Sequence, residues 1–576
     1  MSDIVTLNGY KIKDEKAVRS YDTIALMKAD TKLKEGYHIE TKGYYEANDG
    51  GHGEYIIVDD ETLVDDGGSI HVLTNGLRAV LIINNYITPE TFGAYGDGEH
   101  DDSTAFNNLF SYLNNRTTTI GVRYDNYIPE IKVFNKYKLS NPVTIPYRMN
   151  FHLNGTGIIT GNNNLLEFSS LGDKCMITGI TFYTTSGYCI YINDTENLNA
   201  PHLSIHKCTF NNSSNGLYLR CRSSRVTLHE CFLYRITGYA INNRICDFVS
   251  INNSWIQEPV LDENSPECYI RSEGGNIFLN DCCCIPSSVD NEYSTGRYWI
   301  GMFENVLDGS TDGYGNNYYM NRLYSRNTRY SAERGKHDII YYDNHSEPGV
   351  GISSAIIIED SMHIVGGTAI TLNQLPTFIK FTGNNIQETV NNEQFLKVTN
   401  TFDYEKVDNM ITTNNLQKRI RIIFENNTIK GEHYIDSFPN QLLMFLKTDY
   451  DKIIKLVENE TVDVPVYFQR TSTGITQKFL VKLRGRTLSG NGENQVNEGW
   501  YLVSFEVVSN GTGVTPVINK IMGNERTPQL TVQIDNADNV PVASGTFSPT
   551  INFSSSDILY TPDKTYAPII CINSLT

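Results

Sequence analysis

Arginine and tyrosine side chains recur at the same place in successive repeats of this sequence. On a short strand pattern that begins with glycine, outward positions include Tyr191, Arg220, Asn242 and Arg271. Guanidinium groups bind phosphate and carboxylate through two parallel hydrogen bonds, and tyrosine rings can stack on sugar rings. The pattern therefore indicates a groove for an anionic glycan or a polyol-phosphate polymer. The residues expected to bind it are Arg220, Arg244, Arg271, Tyr218, Tyr269 and Trp255.

A second interpretation of the arginines stays open. They could instead pair with Glu and Asp side chains of neighbouring repeats on a solvated face. Trp255 likewise has two interpretations, as a platform for a sugar ring or as a residue that packs against a loop or another chain.

Carboxylates near the arginine-rich repeats could cleave such a polymer. Glycosidic hydrolysis commonly uses two carboxyl groups, of which one protonates the leaving oxygen and the other activates water or attacks directly. Glu258 comes just after the Trp255 strand, Asp281 one repeat later, and Asp247 in the turn before. These three residues are the predicted catalytic groups. Most surface carboxylates only make a protein soluble, so the absence of a catalytic pair stays an alternative.

Histidine and cysteine do not indicate a metal centre. His206 and His229 occupy the same outward position in adjacent repeats, where surface residues are more common than ligands. The eleven cysteines include the run Cys282–Cys284, which lacks the second pair that a zinc site needs. No cofactor is predicted, although a divalent cation stays open. The cysteines are expected to be buried thiols of the core.

A repeat of the form apolar-x-x-small-x-apolar positions all these residues. Its apolar members point one way because strand side chains alternate. Repeats that return every 23 to 28 residues predict a parallel β-helix, in which each coil buries its apolar face only against its neighbours. The small members should form an inward stack of Cys208, Cys231, Ser254, Cys282, Asn384 and Asn427. The copies are Ile177–Phe182, Ile205–Phe210, Leu228–Leu233, Ile251–Ile256, Leu279–Cys284, Ile358–His363, Phe381–Ile386 and Phe424–Ile429.

The chain is expected to contain three domains. Residues 1–86 form a small first domain, and residues 87–435 form the β-helix with a capping helix at about 102–114. Residues 436–576 consist of alternating strand-length segments separated by Gly, Asn and Pro, which predicts an antiparallel β-sandwich.

Two segments resemble known families. FGAYGDGEHDDSTAF, residues 92–106, resembles the opening segment of the pectate-lyase-like superfamily of right-handed parallel β-helices. GYHIETKGYYEANDGGHGEYIIVDD, residues 36–60, resembles the head segment of bacteriophage tailspikes. Together these resemblances imply a homotrimeric phage tailspike or tail appendage, joined to tail or connector proteins of the virion through residues 1–86.

Composition limits the partners. The net charge of −19 argues against nucleic acid or an anionic membrane as a general partner. No apolar run is long enough to span a membrane, and the first residues lack the apolar segment of a secretion signal. We therefore expect the chain to be assembled in the host cytoplasm and to reside in the virion.

The resemblance and the candidate residues lead to one expected function and one alternative. The expected function is to bind and depolymerise a bacterial cell-wall polymer, wall teichoic acid or anionic capsular polysaccharide, during host adsorption. The enzyme would be a glycoside or phosphodiester hydrolase, with a lyase less expected. The alternative is a receptor-binding tail fibre without enzymatic activity, whose C-terminal domain binds carbohydrate like a lectin.

Overall fold

The computed structural model describes most of the chain up to residue 388 and separate strands beyond it. The chain forms two compact units, Met1–Tyr324 and Ser325–Thr576. Among the described residues, no helix has the length and apolar character needed to cross a membrane. The described stretches are 5–7, 10–12, 18–82, 86–119, 130–194, 201–286, 297–303, 320–331, 337–343, 353–365, 370–373, 376 and 378–388, followed by strands between residues 396 and 574.

The first unit begins with small sheets. A hairpin of Val5–Leu7 and Tyr10–Ile12 precedes a five-stranded sheet with one parallel pair and three antiparallel pairs. A short helix, Ile24–Ala29, follows the first strand of this sheet, and Thr23 caps it by accepting a hydrogen bond from the Leu26 N–H at 3.2 Å. The strands of the sheet, in spatial order, are Val18–Tyr21, His38–Thr41, Gly53–Val58, Arg78–Ile82 and Ile70–Val72.

A 17-residue helix, Ser103–Thr119, covers the first coil of the solenoid. It follows a 3₁₀ helix, Pro89–Phe92, and its apolar side is buried as its spacing predicts. The Phe106 ring meets Tyr137 edge-on at 5.1 Å, and Phe110 meets Phe151 at 5.4 Å. These rings close the end of the coil that would otherwise expose its core.

Three ladders of parallel strands follow in the first unit, and they confirm the predicted parallel β-helix. One ladder contains Tyr86–Ile87, Glu130–Val133, Phe151–Gly155, Cys175–Thr178, His202–His206, the later parts of Asn215–His229 and Ile241–Asn252, and Gly275–Asn280. The second contains Val143–Ile145, Leu166–Phe168, Tyr188–Asp194, the earlier parts of the same two long strands, Cys268–Ser272 and Arg297–Phe303. The third contains Asp97–Asp101, Lys136–Leu139, Ile158–Gly161, Thr181–Thr184, Thr209–Asn211, Phe232–Tyr234, Trp255–Gln257 and Cys283–Ile285.

The inward stack of small residues is also confirmed where the structure describes it. Cys208, Cys231, Ser254 and Cys282 are buried in successive coils, whereas Asn427 lies outside the described residues. The thiols donate to carbonyl groups of the preceding coil, as from Cys231 Sγ to the Ile205 oxygen at 3.4 Å. The stack therefore satisfies backbone groups at the corner as well as filling it.

One corner of the coil uses left-handed backbone. The residues just before Cys208, Cys231, Ser254 and Cys282 have a positive φ, and the N–H groups of the first three donate to a carbonyl of the next coil. This conformation turns the chain from the first ladder into the third. The residues are Lys207, Glu230, Asn253 and Asp281, and Gly179 has the same conformation one coil earlier.

The second unit continues with parallel ladders and then antiparallel sheets. The parallel ladders are Arg329–Ser331, Met362–Val365, Asn385–Glu388 and Thr428–Lys430; His337–Asp343, Ile370–Leu372 and Leu396–Val398; and Ser353–Glu359, Phe378–Thr382 and Arg421–Glu425. The strand Met320–Arg326 contains the boundary between the two units.

The antiparallel strands lie in the region for which a β-sandwich is expected, and the sandwich itself stays a prediction. One sheet has the order Ile454–Lys455, Ile569–Ser574, Lys478–Leu488, Asn494–Val507 and Val514–Met522. A second has Val462–Pro465, Thr550–Ser554 and Thr531–Asp535, and a third has Gly474–Ile475, Phe468–Thr471 and Gly545–Phe547.

Candidate functional site

The strand register determines which outward residues share a column on the second ladder. Tyr191 pairs with Tyr218, Tyr218 with Asn242, and Asn242 with Arg271. Arg220 does not belong to this column, which corrects the sequence alignment. It pairs with Asn193, two residues further along the strand.

Tyr269 is not available to a ligand in this structure, contrary to expectation. Only 1% of its surface is exposed, and its ring packs 5.0 Å from that of Trp299 in the next coil. This burial raises the pKa of its phenol. Tyr269 is therefore a core residue, because the following coil covers the start of its strand.

Tyrosine rings form a wall along the column. Tyr191 and Tyr218 stack with ring centroids 4.6 Å apart, and Tyr188 meets Tyr218 edge-on at 5.4 Å. The Tyr188 hydroxyl accepts a hydrogen bond from Asn242 Nδ2 at 2.8 Å. Burial raises the pKa of the Tyr188 and Tyr191 phenols, so both remain protonated donors near neutral pH.

Arg244 and Arg271 hold a buried carboxylate between them. The side chain of Glu273 is 0% exposed, and its two oxygens lie 2.7 Å from Arg271 Nε and 2.7 Å from Arg244 Nε. Arg271 also donates to the Tyr239 hydroxyl at 3.1 Å and lies over the Phe303 ring at 4.4 Å. Although burial lowers the pKa of Arg271, its bonds to Glu273 and Tyr239 raise it overall. We call these three charged residues the Arg–Glu clamp.

Trp255 and Glu258 lie together on the third ladder, and we call their surroundings the tryptophan face. Trp255 is 47% exposed, and its ring lies 6.2 Å from that of Phe232, its strand partner. Tyr234 stacks on Phe232 at 5.4 Å and donates from its hydroxyl to Glu258 Oε2 at 3.0 Å. Gln257 Nε2 donates to the other carboxylate oxygen at 3.2 Å. The face thus combines exposed aromatic surface with a half-buried, positioned carboxylate.

The other two predicted catalytic residues lie elsewhere. Asp281 precedes the strand Cys283–Ile285, whereas Glu258 follows its partner strand Trp255–Gln257, so the two residues are at opposite ends of this pair. Five extended residues span roughly 16 Å, more than the roughly 5–9.5 Å between paired glycosidase carboxyls. Asp247 is buried within the long strand Ile241–Asn252. The structure does not bring the three together.

The two partly buried histidines belong to no cluster of three potential metal ligands in the part of the chain that the structure describes. The rings of His206 and His229 lie 5.6 Å apart, and no group of three potential metal ligands occurs among the described residues. Burial and the neighbouring His229 lower the pKa of His206. Glu230 lies 3.2 Å from His229 and 3.5 Å from Lys207, which fits a polar surface network.

Several residues of both sites were not among the predicted site residues. Phe232 and Tyr234 flank the inward Leu233, so strand alternation could have identified them as outward. Glu273 follows Arg271 by two residues, a spacing that places both side chains on one side of a strand. No sequence pattern indicated Tyr188, because it lies at the start of its strand and contacts the Tyr218 and Asn242 side chains from there.

Comparison with known protein families gives a match near the start of the chain. Residues 20–84 match the family described as phage tail protein small four-stranded beta-sheet domain. No curated protein sequence matches the chain significantly.

Solved structures similar to this chain include two phage tailspike proteins and one bacterial enzyme. The enzymatically active domain of bacteriophage CBA120 tailspike protein 4 has a TM-score of 0.49 and 12% identity, over 96% of this chain and 77% of that one. The tailspike of Acinetobacter baumannii bacteriophage Fri1, a capsular polysaccharide depolymerase, has a TM-score of 0.36 and 10% identity, over 97% and 98%. WceF of Pantoea stewartii, a glycan biofilm modifying enzyme, has a TM-score of 0.33 and 10% identity, over 98% and 72%.

These identities are too low to carry functional residues over to this chain. The family match to residues 20–84 stands on the sequence itself, and it agrees with the resemblance between residues 36–60 and tailspike heads. The chain thus contains a segment that matches a phage tail domain, followed by a parallel β-helix.

Proposed function

We propose that this protein is a phage tailspike that binds a bacterial surface polymer on its β-helix and depolymerises it. The observation that carries this proposal is the tryptophan face, where the exposed Trp255 ring lies next to Phe232, and Tyr234, stacked on Phe232, positions the carboxylate of Glu258. An exposed aromatic row on a rigid sheet suits the apolar face of a sugar ring. The match of residues 20–84 to a phage tail domain supports the setting in a virion.

Glu258 is the proposed catalytic base. As a carboxylate that accepts hydrogen bonds from Tyr234 and Gln257, it can take a proton from an attacking water molecule. The water oxygen bonds to the anomeric carbon or to phosphorus, the bond to the leaving oxygen breaks, and the leaving oxygen takes up a proton from solvent. The net reaction adds one water across a glycosidic or phosphodiester bond.

The proposed polymer is wall teichoic acid or an anionic capsular polysaccharide. The Arg–Glu clamp supports an anionic polymer, because it contains two guanidinium groups and one buried carboxylate. We also propose that the chain forms a homotrimer and attaches to tail or connector proteins through residues 1–86. Light scattering on the purified protein would test the trimer, and a mass equal to one chain would exclude it.

A receptor-binding fibre without enzymatic activity is the second candidate. It is favoured by one observation, the separation of Glu258 from Asp281 and Asp247. If binding occurs without cleavage, carbohydrate recognition could involve the C-terminal strands as well as the β-helix.

The test is incubation of the protein with teichoic acids and anionic capsular polysaccharides, with product size followed by gel and mass spectrometry. We expect shortened products with regular spacing, and their end groups would distinguish glycosidic from phosphodiester cleavage. Binding without shortening would support the fibre instead.

Matched variants locate the chemistry. Glu258→Gln should abolish cleavage while retaining binding, and Trp255→Ala should weaken binding. Glu230→Gln is the control, because Glu230 also follows a strand in left-handed conformation but lies at a different corner. Equal cleavage by the Glu258→Gln variant and the wild type would exclude Glu258 as the base.

A further inference from the structure

Arg244 has hydrogen-bond donors that the described part of the chain does not use. Its Nε faces Glu273 Oε2 at 2.7 Å, but its two terminal nitrogens have no acceptor among the described residues. The side chain is 22% exposed, so a ligand can reach these nitrogens. A guanidinium fixed at one edge and open at the other is arranged to bind a planar or tetrahedral anion.

Arg271 differs from Arg244 because its donors are occupied. It contacts Glu273, the Tyr239 hydroxyl and the Phe303 ring, with Glu267 at 3.9 Å. Arg271 therefore neutralises the buried Glu273 within the fold. The two guanidinium groups thus share one buried carboxylate. The other nearby carboxylate, Glu267, is half-exposed, so water screens its interaction and the charge of Arg244 stays less compensated.

A second unused group lies on the same strand as Arg244. Asn242 is 4% exposed, and its Oδ1 is buried without a hydrogen-bond donor among the described residues. Its Nδ2 donates to the Tyr188 hydroxyl. Because buried polar atoms in folded proteins nearly always have a partner, a buried acceptor without one indicates an internal water, and the same side chain positions Tyr188.

Tyr188 connects these two groups. Its hydroxyl accepts from Asn242, and its own proton is available to a ligand because burial raises the pKa of the phenol. Arg244 is close enough to Tyr188 to oppose that increase. The stacked rings of Tyr191 and Tyr218 continue the same surface along the column.

We propose that Arg244, Tyr188 and Asn242 form a binding site for an acidic sugar or a polyol phosphate. Arg244 binds the carboxylate or phosphate, Tyr188 donates a hydrogen bond to the ligand, and Asn242 holds the Tyr188 hydroxyl in place through its Nδ2. The site is on the second ladder, whereas the tryptophan face is on the third. The inference rests on the proposed function, in that it names the part of the surface that recognises the anionic group of the polymer.

Binding of three tetramers to the full-length protein tests the site by isothermal titration calorimetry. The probes are tetragalacturonate, a glycerol phosphate tetramer and the neutral maltotetraose. We expect one or both anionic tetramers to bind and maltotetraose to bind at least tenfold more weakly. The two anionic probes distinguish a carboxylate from a phosphate ligand.

Variants assign the binding to Arg244. Arg244→Gln should weaken binding of the anionic tetramer roughly 10- to 100-fold, the usual effect of losing a charged hydrogen bond. Tyr188→Phe removes only the hydroxyl and should have a smaller effect. Arg225→Gln is the control for charge, because Arg225 lies over the Phe248 ring on a different part of the surface.

Failure of both anionic tetramers to bind would overturn the proposal, and so would equal binding by Arg244→Gln and the wild type. Circular dichroism of each variant shows whether a loss of binding reflects a loss of folding. Polymer cleavage is measured separately with Glu258→Gln. Tetramer binding at Arg244 without any polymer cleavage would contradict the proposed function and leave this site intact.

Discussion

Left-handed backbone imposes a constraint on residue type at the corner before the small-residue stack. Asn253 has a φ of 48°, and Asp281 has 54° at the same corner one coil later. This conformation costs most residues roughly 1–2 kcal/mol, whereas glycine adopts it freely and asparagine and aspartate tolerate it. The acidic character of Asp281 thus has a structural explanation that does not require catalysis.

Substitutions at Asn253 test this constraint. The free energy of unfolding of Asn253→Gly should equal that of the wild type or exceed it slightly. That of Asn253→Val should be lower by about 1–2 kcal/mol, because a β-branched residue fits left-handed backbone poorly. Denaturant unfolding followed by circular dichroism measures the difference. Equal stability of the Val and Gly variants would contradict the assigned conformation.

Asp102 introduces a pH dependence at the start of the capping helix. Its carboxylate accepts a hydrogen bond from the Tyr95 N–H at 2.6 Å, but it is 1% exposed, and burial raises its pKa to about 6. The pKa in the unfolded chain is about 3.8. The folded protein therefore binds an extra proton between about pH 4 and 6, so this residue's contribution to stability is largest below pH 4 and is lost as the pH rises through 6.

Asp102→Asn removes this titration. Relative to the wild type, the variant should gain stability as the pH rises from 4 to 7, by about 2–3 kcal/mol for a shift of this size. Thermal or denaturant unfolding of both proteins over this pH range measures the difference between their free energies of unfolding. The contributions of the other titrating groups cancel in this difference, because both proteins contain them. A difference that does not change with pH would show that the Asp102 pKa is not raised.

The coils show which strand elements could be predicted from sequence. Ile205, Leu228 and Ile251 align in the structure as the repeat predicts, because burial requires an apolar residue at that inward position in every coil. The capping helix, the parallel ladders and the small-residue stack were predicted for the same reason. All depend on side chains that must be apolar or small.

The strand pattern that begins with glycine predicts less reliably than the apolar repeat which residues pair between neighbouring coils. The glycine that begins the pattern before Arg220 is Gly216, where a Cβ would meet the Ala240 carbonyl oxygen at 2.2 Å. Its glycine is thus required by a close approach of two coils and does not mark the start of the strand pattern. The resulting shift of two residues placed Arg220 in the Tyr191 column, where Tyr218 belongs.

Candidate site residues were only partly predictable, because outward positions are not constrained by packing. Trp255 could be found by alternation and Glu258 by its place just after that strand, whereas the predicted partner Asp281 lies at another corner. The Arg–Glu clamp depends on Glu273, whose spacing from Arg271 indicates the side of the strand but whose burial no sequence pattern predicts.

The cysteines of the inward stack are expected to be chemically inert. Burial raises the pKa of Cys208 and Cys282 to about 12 and that of Cys231 to about 11, so the reactive thiolate is scarce at pH 8. A thiol reagent followed by mass spectrometry should label none of the three in the folded protein and all of them in denaturant. Cys283 is half-buried, which makes it the internal comparison. Fast labelling of Cys231 in the folded state would contradict the packing of the stack.

At the scale of the whole molecule, the net charge and the proposed ligand have the same sign. The chain carries a net charge of −19, and Arg244 is a partly exposed positive group on it. The proposed anionic polymer is therefore expected to be repelled at long range and attracted only after it reaches the proposed Arg244 site. Salt screens the long-range repulsion strongly, because the Debye length is roughly 10 Å at 0.1 M. It screens the half-buried contact with Arg244 less.

The association rate with an anionic polymer should consequently rise when salt is increased from 20 to 150 mM, the opposite of the behaviour of proteins with a broad basic surface. Surface plasmon resonance with an immobilised teichoic acid measures this rate, and a neutral polysaccharide bound by the same protein is the control, for which no change is expected. Arg244→Gln should mainly increase the dissociation rate, since it removes a short-range contact and changes the net charge by only one unit. An association rate that falls with salt would mean that a larger basic surface than the Arg–Glu clamp captures the polymer.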